Sequence, residues 1–160
     1  MKIVLVILMF MMVPVISIAV TLVKNQAHFF EAPGFAERLS IYLSQHTAAT
    51  SDNHPFPELR TPVFSVEADS LFSVVIEVAS DLGWRLRQID DDSLTAYLVI
   101  TTPLLGFSDD LVVQVKSSSP EESVLAIQST SRKGKADFAA NAGHIQTLVQ
   151  RVGKKLKQRR

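Results

Sequence analysis

The stretch Asp137–Leu156, DFAANAGHIQTLVQRVGKKL, carries the clearest periodicity in the chain and decides the fold. Its apolar residues recur at steps of three and four, which places them on one stripe of a helix. These residues are Phe138, Ala142, Ile145, Val149, Val152 and Leu156. Asp137 stands where a helix N-cap is expected, and the basic residues from Arg151 onward suit the negative end of the helix dipole. The pattern predicts a closing helix with one buried face.

Strand candidates joined by short turns precede this helix. They are Trp84–Ile89, Leu94–Thr101, Leu111–Lys116 and Val124–Thr130. In Leu111–Lys116 the apolar and polar residues alternate, so one face of that strand is expected to be buried and the other wet. Connections this short predict an antiparallel meander.

The segment before the meander completes the expected architecture. Val63–Glu67 predicts a strand, and Ala68–Leu82 predicts a helix that ends at Gly83. The order is then β-α-β-β-β-β-α. Such an order is typical of a two-layer α+β domain in which an antiparallel sheet grips the C-terminal helix. We place this domain at residues 62–157, with residues 158–160 as the end of a basic tail.

The N-terminal segment predicts a membrane anchor. Ile3–Val23 is an unbroken run of 21 uncharged residues. As a helix it would reach about 31 Å, the thickness of the hydrocarbon core of a bilayer. We therefore expect a transmembrane helix at residues 1–24, with the amino terminus in the cytoplasm and the domain on the periplasmic side of the inner membrane. The alternative is a cleaved secretory signal, although the apolar run continues past the small residues Ser17 and Ala19.

Residues 25–61 are expected to link the anchor to the domain. Within them, Gly34–Gln45 predicts a short helix that follows Pro33, and its apolar residues recur at spacings close to three and four. They are Phe35, Leu39, Tyr42 and Leu43. Thr47–Pro62 is rich in Thr, Ser, Asp, Asn and Pro, a composition typical of a loop.

Composition excludes several kinds of chemistry. The chain has no cysteine, so it can form neither disulfides nor thiolate nucleophiles nor cysteine-bound zinc sites. The histidines are not spaced as a ligand set, and Asp90-Asp91-Asp92 lacks the alternation and the glycine of a calcium loop. The histidines are His28, His46, His54 and His144. We expect neither a metal nor another cofactor.

The net charge of zero hides a strong asymmetry. From Arg132 to Arg160 there are nine basic residues against Asp137 alone, whereas Asn25–Ser131 holds five basic and fifteen acidic residues. The basic tail comprises Arg151, Lys154, Lys155, Lys157, Arg159 and Arg160. It is either a solvated helix end or a contact for anionic lipid or an acidic envelope protein. We do not expect nucleic acid as a partner, because the domain would be exported and the tail has no aromatic residue for base stacking.

Three segments together carry a family pattern. They are Gly83-Trp84, Thr102–Asp110, and Ser129–Asp137 followed by Asn141 and Ile145. Their Ser-x-Ser-Arg-x-Gly-x-x-Asp-x-x-x-Asn pattern resembles that of the bacterial family called domain of unknown function 1499, over roughly residues 58–156. The resemblance implies envelope or membrane association and brings no established activity. Two departures stand out: Phe138-Ala139 occupies the place of a usual Leu-Gly, and Gly143-His144 replaces a usual basic pair.

The polar residues of this pattern read mainly as structural. They are Asp109, Asp110, Ser129, Ser131, Arg132, Gly134, Asp137 and Asn141. We expect the guanidinium of Arg132 to clamp Asp109 or Asp110 and so join two loops. Asn141, one helical turn after the capping Asp137, could bond the same loop. The basic loop around Gly134 could instead bind an anion at the helix N-terminus, although Asp137 already supplies one there.

A catalytic interpretation of the same residues is weak. Ser129, Ser131, His144 and Asp137 supply the side-chain types of a hydrolase triad. However, no Gly-x-Ser-x-Gly elbow presents either serine. We therefore name no catalytic residue.

Three functional classes remain open at this point. The first is an anchored, non-enzymatic envelope module that binds a protein or lipid partner through its sheet face or its basic tail. The second is a carrier of an apolar small molecule between sheet and helix, which resembles helix-grip ligand binders and needs a cavity of roughly 300 Å³ or more. A hydrolase-like enzyme is the third.

Overall fold

The described residues form an antiparallel sheet with helices packed against it. The computed structural model describes residues 2–102 and 106–159, with side chains from residue 11 onward. The strands are β1 (Thr47–Ala49), β2 (Val63–Phe64), β3 (Arg85–Asp90), β4 (Thr95–Thr101), β5 (Ser108–Ser119) and β6 (Glu122–Ser131). The helices are α1 (Lys2–Lys24), α2 (Phe35–Ser44), α3 (Ala68–Asp81) and α4 (Ala140–Arg159), with a 3-10 turn at Pro57–Leu59. The α+β class and the C-terminal helix are as the sequence predicts.

The predicted meander forms the body of the sheet. The strand order is β1-β6-β5-β4-β3, and β2 also pairs with β6. The hairpin of β5 and β6 extends from the Asp109↔Ser131 pair to the Ser119↔Glu122 pair, so both strands are longer than the apolar pattern indicates. The polar residues at the ends of β5 and β6 also pair, because strand pairing depends on backbone hydrogen bonds and not on apolar side chains.

Helices α3 and α4 bury one face of this sheet. Leu71 of α3, Leu111 of β5 and Leu125 of β6 are 0% exposed, as are Ile145 and Leu148 of α4. Gly83 follows α3 with a φ of 72°, the left-handed conformation that the sequence predicts for the end of this helix. The space between sheet and α4 is therefore packed with side chains.

The predicted loop Thr47–Pro62 is partly wrong, because its first residues form strand β1. Thr47 pairs with Thr130, and Ala49 pairs with Gln128. The amide of Thr50 donates to the carbonyl of Ile127, 2.9 Å away. Strand β1 has only three residues, all small or polar, so its sequence shows no strand periodicity. It forms because it pairs with the edge of β6. Similarly, the predicted strand Val63–Glu67 is reduced to Val63–Phe64 in β2.

The closing helix begins two residues later than predicted, at Ala140. Phe138 and Ala139 instead adopt left-handed conformations, with φ values of 52° and 67°. Residues other than glycine rarely adopt this conformation, and Ala139 occupies the place where the family pattern usually has glycine. Two backbone hydrogen bonds hold the turn to α2, from the Asp137 amide to the Gln45 carbonyl and from the Phe138 amide to the Tyr42 carbonyl.

Helix α1 is the element for which the sequence predicts an anchor. In the part of the chain that the structure describes, no helix has the length and apolarity that crossing a membrane requires. The predicted anchor includes residues 1–10, whose side chains lie outside the described residues. The membrane role of this segment stays a prediction.

The end of α1 is docked on the domain. Leu22 is 4% exposed and belongs to the core, and the side-chain amide of Asn25 donates to the carbonyl of Phe138 at 2.8 Å. At Gly143 of α4, a Cβ atom would lie 2.7 Å from the carbonyl oxygen of Asn25. Glycine at position 143 therefore allows the backbone after α1 to approach α4 this closely.

Substitution of Gly143 by alanine tests this close approach. We expect Gly143→Ala to lower the free energy of unfolding by roughly 1–3 kcal/mol, because the Asn25 backbone must move. Trypsin should also cleave after Lys24 faster. Gly153→Ala is the matched control in the same helix, since a Cβ there finds its nearest atom, in the Phe64 ring, at 3.9 Å. Equal effects at the two glycines would contradict the docking.

Candidate binding site

The family-pattern residues converge on the buried amide of Asn141. Its Oδ1 accepts from the Ser129 hydroxyl at 2.5 Å, and its Nδ2 lies 2.9 Å from the Ser131 hydroxyl oxygen. The same Nδ2 lies 2.9 Å from the His46 carbonyl oxygen and 2.6 Å from a carboxylate oxygen of Asp137. Asn141 is 0% exposed. It joins the end of β6, the residue before β1 and the start of α4.

Asp109 lies beside this network and bonds both Ser131 and His144. The order of these three side chains is not that of a hydrolase triad. His144 Nε2 donates to Asp109 Oδ2 at 2.9 Å, and the Ser131 hydroxyl also bonds this carboxylate. Burial raises the pKa of Asp109, but the hydrogen bonds from His144 and Ser131 outweigh it and lower the pKa below its ordinary value. In a hydrolase triad the imidazole lies between hydroxyl and carboxylate. Here the Asp109 carboxylate lies between the Ser131 hydroxyl and the His144 imidazole, so no imidazole base lies next to Ser131.

Arg132 binds Asp110 through both oxygens. Its Nε and Nη2 donate at 2.8 and 2.6 Å to the two carboxylate oxygens. The hydrogen bonds lower the pKa of Asp110 and raise that of Arg132. Of the two predicted acidic partners of Arg132, Asp110 is therefore the one in contact. Gly134 lies in the exposed turn that follows, with a φ of 96°.

Asp137 holds the turn before α4. Its Oδ1 accepts from the Ala139 amide at 2.9 Å, and its Oδ2 accepts from the Asn141 amide at 3.3 Å. Burial raises the pKa of this carboxyl, and the hydrogen bonds only partly oppose that shift. Because the helix starts at Ala140, Asp137 reaches the helix amides from outside the first turn. A carboxylate already occupies the place where the basic loop could have held another anion.

A buried ion pair that the sequence analysis missed lies between α2 and the 3-10 turn. Arg38 is 0% exposed, and its Nη1 and Nη2 donate to the two oxygens of Glu58 at 2.6 and 2.9 Å. Its remaining donors bind the Tyr42 hydroxyl and the carbonyls of Glu31 and Ala32. Burial alone would raise the pKa of Glu58, but the contact with Arg38 lowers it. The cation fixes the segment before α2 and the 3-10 turn to α2.

A cleft beside this ion pair has a volume of about 480 Å³. It lies between α2, the edge strand β1, the segment 51–59 and the first residues of α4. Its apolar lining residues are Ile41, Ala48, Ala49, Pro55, Phe56, Leu59, Ala139 and Ala142. Its polar lining residues are Tyr42, Gln45, Thr47, Thr50, Ser51, His54 and Asp137. Sequence reasoning could not find this cleft, because four separate segments build its wall.

Hydrogen bonding fixes the tautomer of His54 at this cleft. The Phe56 amide donates to His54 Nδ1 at 2.9 Å, so the proton of a neutral imidazole must lie on Nε2. The ring also packs edge-on against Phe56, with centroids 5.4 Å apart. His54 thus offers one N–H donor in the wall of the cleft.

A second cleft of about 460 Å³ lies between β2, α3 and the end of α4. Val63 and Phe64 line it, as do Lys157 and Arg159 of the basic tail. Two residues of the tail already have acidic partners on α3. Lys155 lies 2.6 Å from both Glu77 and Asp81, and Arg159 pairs with Glu77.

The rest of the tail carries the predicted lipid contact. Arg151, Lys154 and Lys157 are exposed, whereas Arg160 lies outside the described residues, as do Pro103–Leu105 of the family pattern. The contact of this tail with anionic lipid or an acidic partner stays a prediction. Among residues 11–102 and 106–159, no group of three or more acidic, cysteine or histidine residues could hold a metal.

Comparison with known families identifies the family of this chain. Residues 34–152 match the family model described as protein of unknown function DUF1499. The chain belongs to this family. The DUF1499 match begins at the start of α2, so it covers the buried ion pair, the cleft and the Asn141 network alike. The resemblance seen in the sequence is confirmed.

Two individual proteins are also similar to parts of this DUF1499 chain. A phosphate acyltransferase of Lactococcus lactis subsp. lactis (strain IL1403) is 33% identical over 79 residues. The match covers 49% of this chain and spans only 23% of the length of that enzyme. A solved START superfamily protein from Mycobacterium smegmatis is 10% identical, with a TM-score of 0.43 over 72% of this chain and 99% of that chain. A TM-score of this size carries no argument about function.

Removing the buried cation tests its structural role. We expect Arg38→Met to lower the free energy of unfolding by roughly 3–5 kcal/mol, because Glu58 would remain buried without its partner. Arg132→Met is the matched control, since it breaks a pair whose side chains are 37% and 48% exposed and should change stability far less. Urea unfolding of both variants measures the difference. Similar losses in the two variants would contradict the role given to Arg38.

The contact between His28 and α4 should depend on pH. His28 Nδ1 lies 2.7 Å from Glu31 and Nε2 lies 3.0 Å from the side-chain oxygen of Gln146, so both nitrogens face acceptors. The bond to Glu31 raises the pKa of His28 above its ordinary 6.5 despite partial burial. A raised folded-state pKa gives stability that is complete below pH 6.5 and is lost as pH rises through the folded-state value.

Comparison of the wild type with His28→Gln across pH 5 to 9 isolates this contribution. We expect the wild type to be the more stable protein at the acidic end, with the difference shrinking as His28 loses its proton. Glutamine preserves a side-chain hydrogen-bonding group without titrating in this range. A stability difference that does not vary with pH would exclude the charged bridge.

Proposed function

We propose that the protein is a non-enzymatic binding module that holds an amphipathic small molecule in the cleft beside β1. The observation that carries the proposal is a cleft of about 480 Å³ whose wall combines eight apolar residues with seven polar ones. Small-molecule sites generally have this size. The cleft supports the hypothesis that the protein is a carrier of a small molecule. However, it lies at the edge of the sheet, whereas the sequence predicted a cavity between the sheet and α4.

The wall of this cleft is preformed. Phe56 and Leu59 are 1% and 3% exposed, and Tyr42 is 2% exposed. The guanidinium of Arg38 lies 4.2 Å from the centre of the Phe56 ring and also binds the Tyr42 hydroxyl. A wall that is already ordered loses little conformational entropy when a ligand binds. These contacts support binding without a rearrangement of the cleft.

The polar groups of the cleft indicate which end of a ligand they would contact. Tyr42 and Asp137 already have partners, since the hydroxyl accepts from Arg38 and the carboxylate accepts from two backbone amides. His54 Nε2 is the donor that remains for a ligand among the described contacts of these three residues. Strand β1 pairs with β6 along one edge only, so its other edge can offer further backbone groups. An apolar body with a hydrogen-bond acceptor near His54 fits these contacts, and the polar residues Gln45, Thr47, Thr50 and Ser51 also line the cleft.

The site residues do not favour a reaction. Ser131 contacts Asp109 and Asn141 rather than a histidine, and Ser129 donates to Asn141. Among these residues, neither serine hydroxyl contacts an imidazole, so they do not support the hypothesis of a hydrolase. Residence on the periplasmic face of a membrane, which the sequence predicts for residues 1–24, remains part of this proposal. Sedimentation of cell membranes with and without high salt would test that residence directly.

Native mass spectrometry of the purified full chain tests the ligand. We expect a co-purifying amphipathic molecule in the wild type and at least about a tenfold loss of occupancy in Ile41→Trp, which fills the cleft. His54→Asn should also weaken binding, because asparagine can accept from the Phe56 amide but lacks a donor at the Nε2 position.

Leu86→Trp is the control for bulk, since Leu86 is 41% exposed on β3, at the other edge of the sheet. It should leave occupancy unchanged. A wild-type protein that carries no ligand and binds none from a total lipid extract would overturn the proposal. Equal loss of ligand in Ile41→Trp and Leu86→Trp would do the same.

A further inference from the structure

Helix α2 buries Arg38 and Tyr42 but leaves the apolar side chains of Phe35 and Leu43 exposed. Phe35 and Leu43 are 51% and 42% exposed, whereas Arg38 is 0% exposed. Phe35, Leu39 and Leu43 are four residues apart and so lie along one stripe of the helix. Phe30 is 92% exposed and stacks on Phe35, with ring centroids 6.1 Å apart and planes at 22°. We call Phe30, Phe35, Leu39 and Leu43 the apolar platform.

The backbone that presents the platform is fixed. Arg38 Nη2 donates to the Ala32 carbonyl at 2.6 Å, and Nε lies 3.2 Å from the Glu31 carbonyl oxygen. These carbonyls follow directly after Phe30. Phe29, the residue before it, packs on Tyr42 with ring centroids 6.1 Å apart. An aromatic ring held rigidly in water keeps its apolar area hydrated, so an exposed platform of this kind indicates a surface that is covered by something else.

The neighbouring helix indicates what that cover is. Phe30 follows the last residue of α1, Lys24, by six positions. Residues 11–20 of α1 are all exposed, so its apolar side chains point in every direction. A protein partner would cover one side of such a helix, whereas lipid can surround it. Because the platform lies so close along the chain to a segment suited to lipid, lipid is the partner that these observations favour.

Charge defines which lipid surface the platform fits. Glu31 and Glu37 are exposed beside it. These carboxylates would be repelled by anionic headgroups, so contact must depend on the insertion of apolar side chains.

We propose that the apolar platform inserts into the interfacial region of a bilayer with zwitterionic headgroups and so seats the domain against the membrane. The proposal adds a second binding surface to the ligand cleft. It rests on the membrane residence included in the proposed function, and it is independent of whether the cleft holds a ligand.

Tryptophan quenching in reconstituted vesicles tests the platform. The single tryptophan is removed by Trp84→Phe, and a new one is introduced by Phe30→Trp in the full chain. In phosphatidylcholine vesicles whose acyl chains are brominated, we expect several-fold stronger quenching of this variant than of a Leu86→Trp control in the same background. Added phosphatidylglycerol should not increase the quenching, and high salt should not reduce it.

Each outcome decides the proposal. Equal quenching of the two variants in protein that sediments with the vesicles would overturn the platform while leaving the anchor intact. Protein that stays in the supernatant would overturn both, and quenching that requires anionic lipid would replace the platform with an electrostatic contact. Unchanged thermal unfolding of Phe30→Trp serves as the folding control, because the side chain it replaces is exposed. Ligand occupancy of the cleft is read separately on Ile41→Trp.

Discussion

The buried guanidinium of Arg38 is the contact on which the functional surfaces depend. A cation inside a protein loses several kcal/mol of hydration free energy unless partners replace its water. Here a carboxylate, a phenol and two backbone carbonyls supply the replacement. Because α2 buries Arg38 and Tyr42 against these partners, the neighbouring stripe with Phe35 and Leu43 is left exposed. The same contacts place Tyr42 and Phe56 in the wall of the cleft.

The family pattern is chiefly a set of residues that closes the fold. Asn141 satisfies hydrogen-bonding groups from β6, from the residue before β1 and from the turn before α4. Low polarity around a buried amide strengthens each of these bonds and penalises any that is missing. The left-handed turn at Phe138 and Ala139 is tolerable because three hydrogen bonds to other segments and one from Ala139 to Asp137 hold it. The geometry explains these residues without a reaction.

Apolar periodicity was sufficient to predict strands β3 to β6, helices α2 and α3, and the body of α4. It failed where a tertiary contact outweighs local preference. Strand β1 is too short for a pattern, and the start of α4 depends on a turn that only its neighbours stabilise. Of the predicted apolar positions of α2, Tyr42 is 2% exposed whereas Phe35 and Leu43 are 51% and 42% exposed. The helix is turned this way because Arg38 and Tyr42 bind each other beside Glu58. No local signal marks Arg38 as buried, since its carboxylate partner lies twenty residues away along the chain.

One part of the sheet pairs strands that are consecutive in the sequence, whereas β1 pairs with a strand that is far away along the chain. Strands β3 to β6 follow one another through short turns, whereas the hydroxyl bond between Thr47 and Thr130 spans 83 residues. Closing so long a loop has a high entropic cost, which favours assembly of the local hairpins before β1 arrives. During folding the edge of β6 would then be open to other extended polypeptides until β1 and β2 pair with it. The cleft beside β1 would then be the last part of the described structure to form.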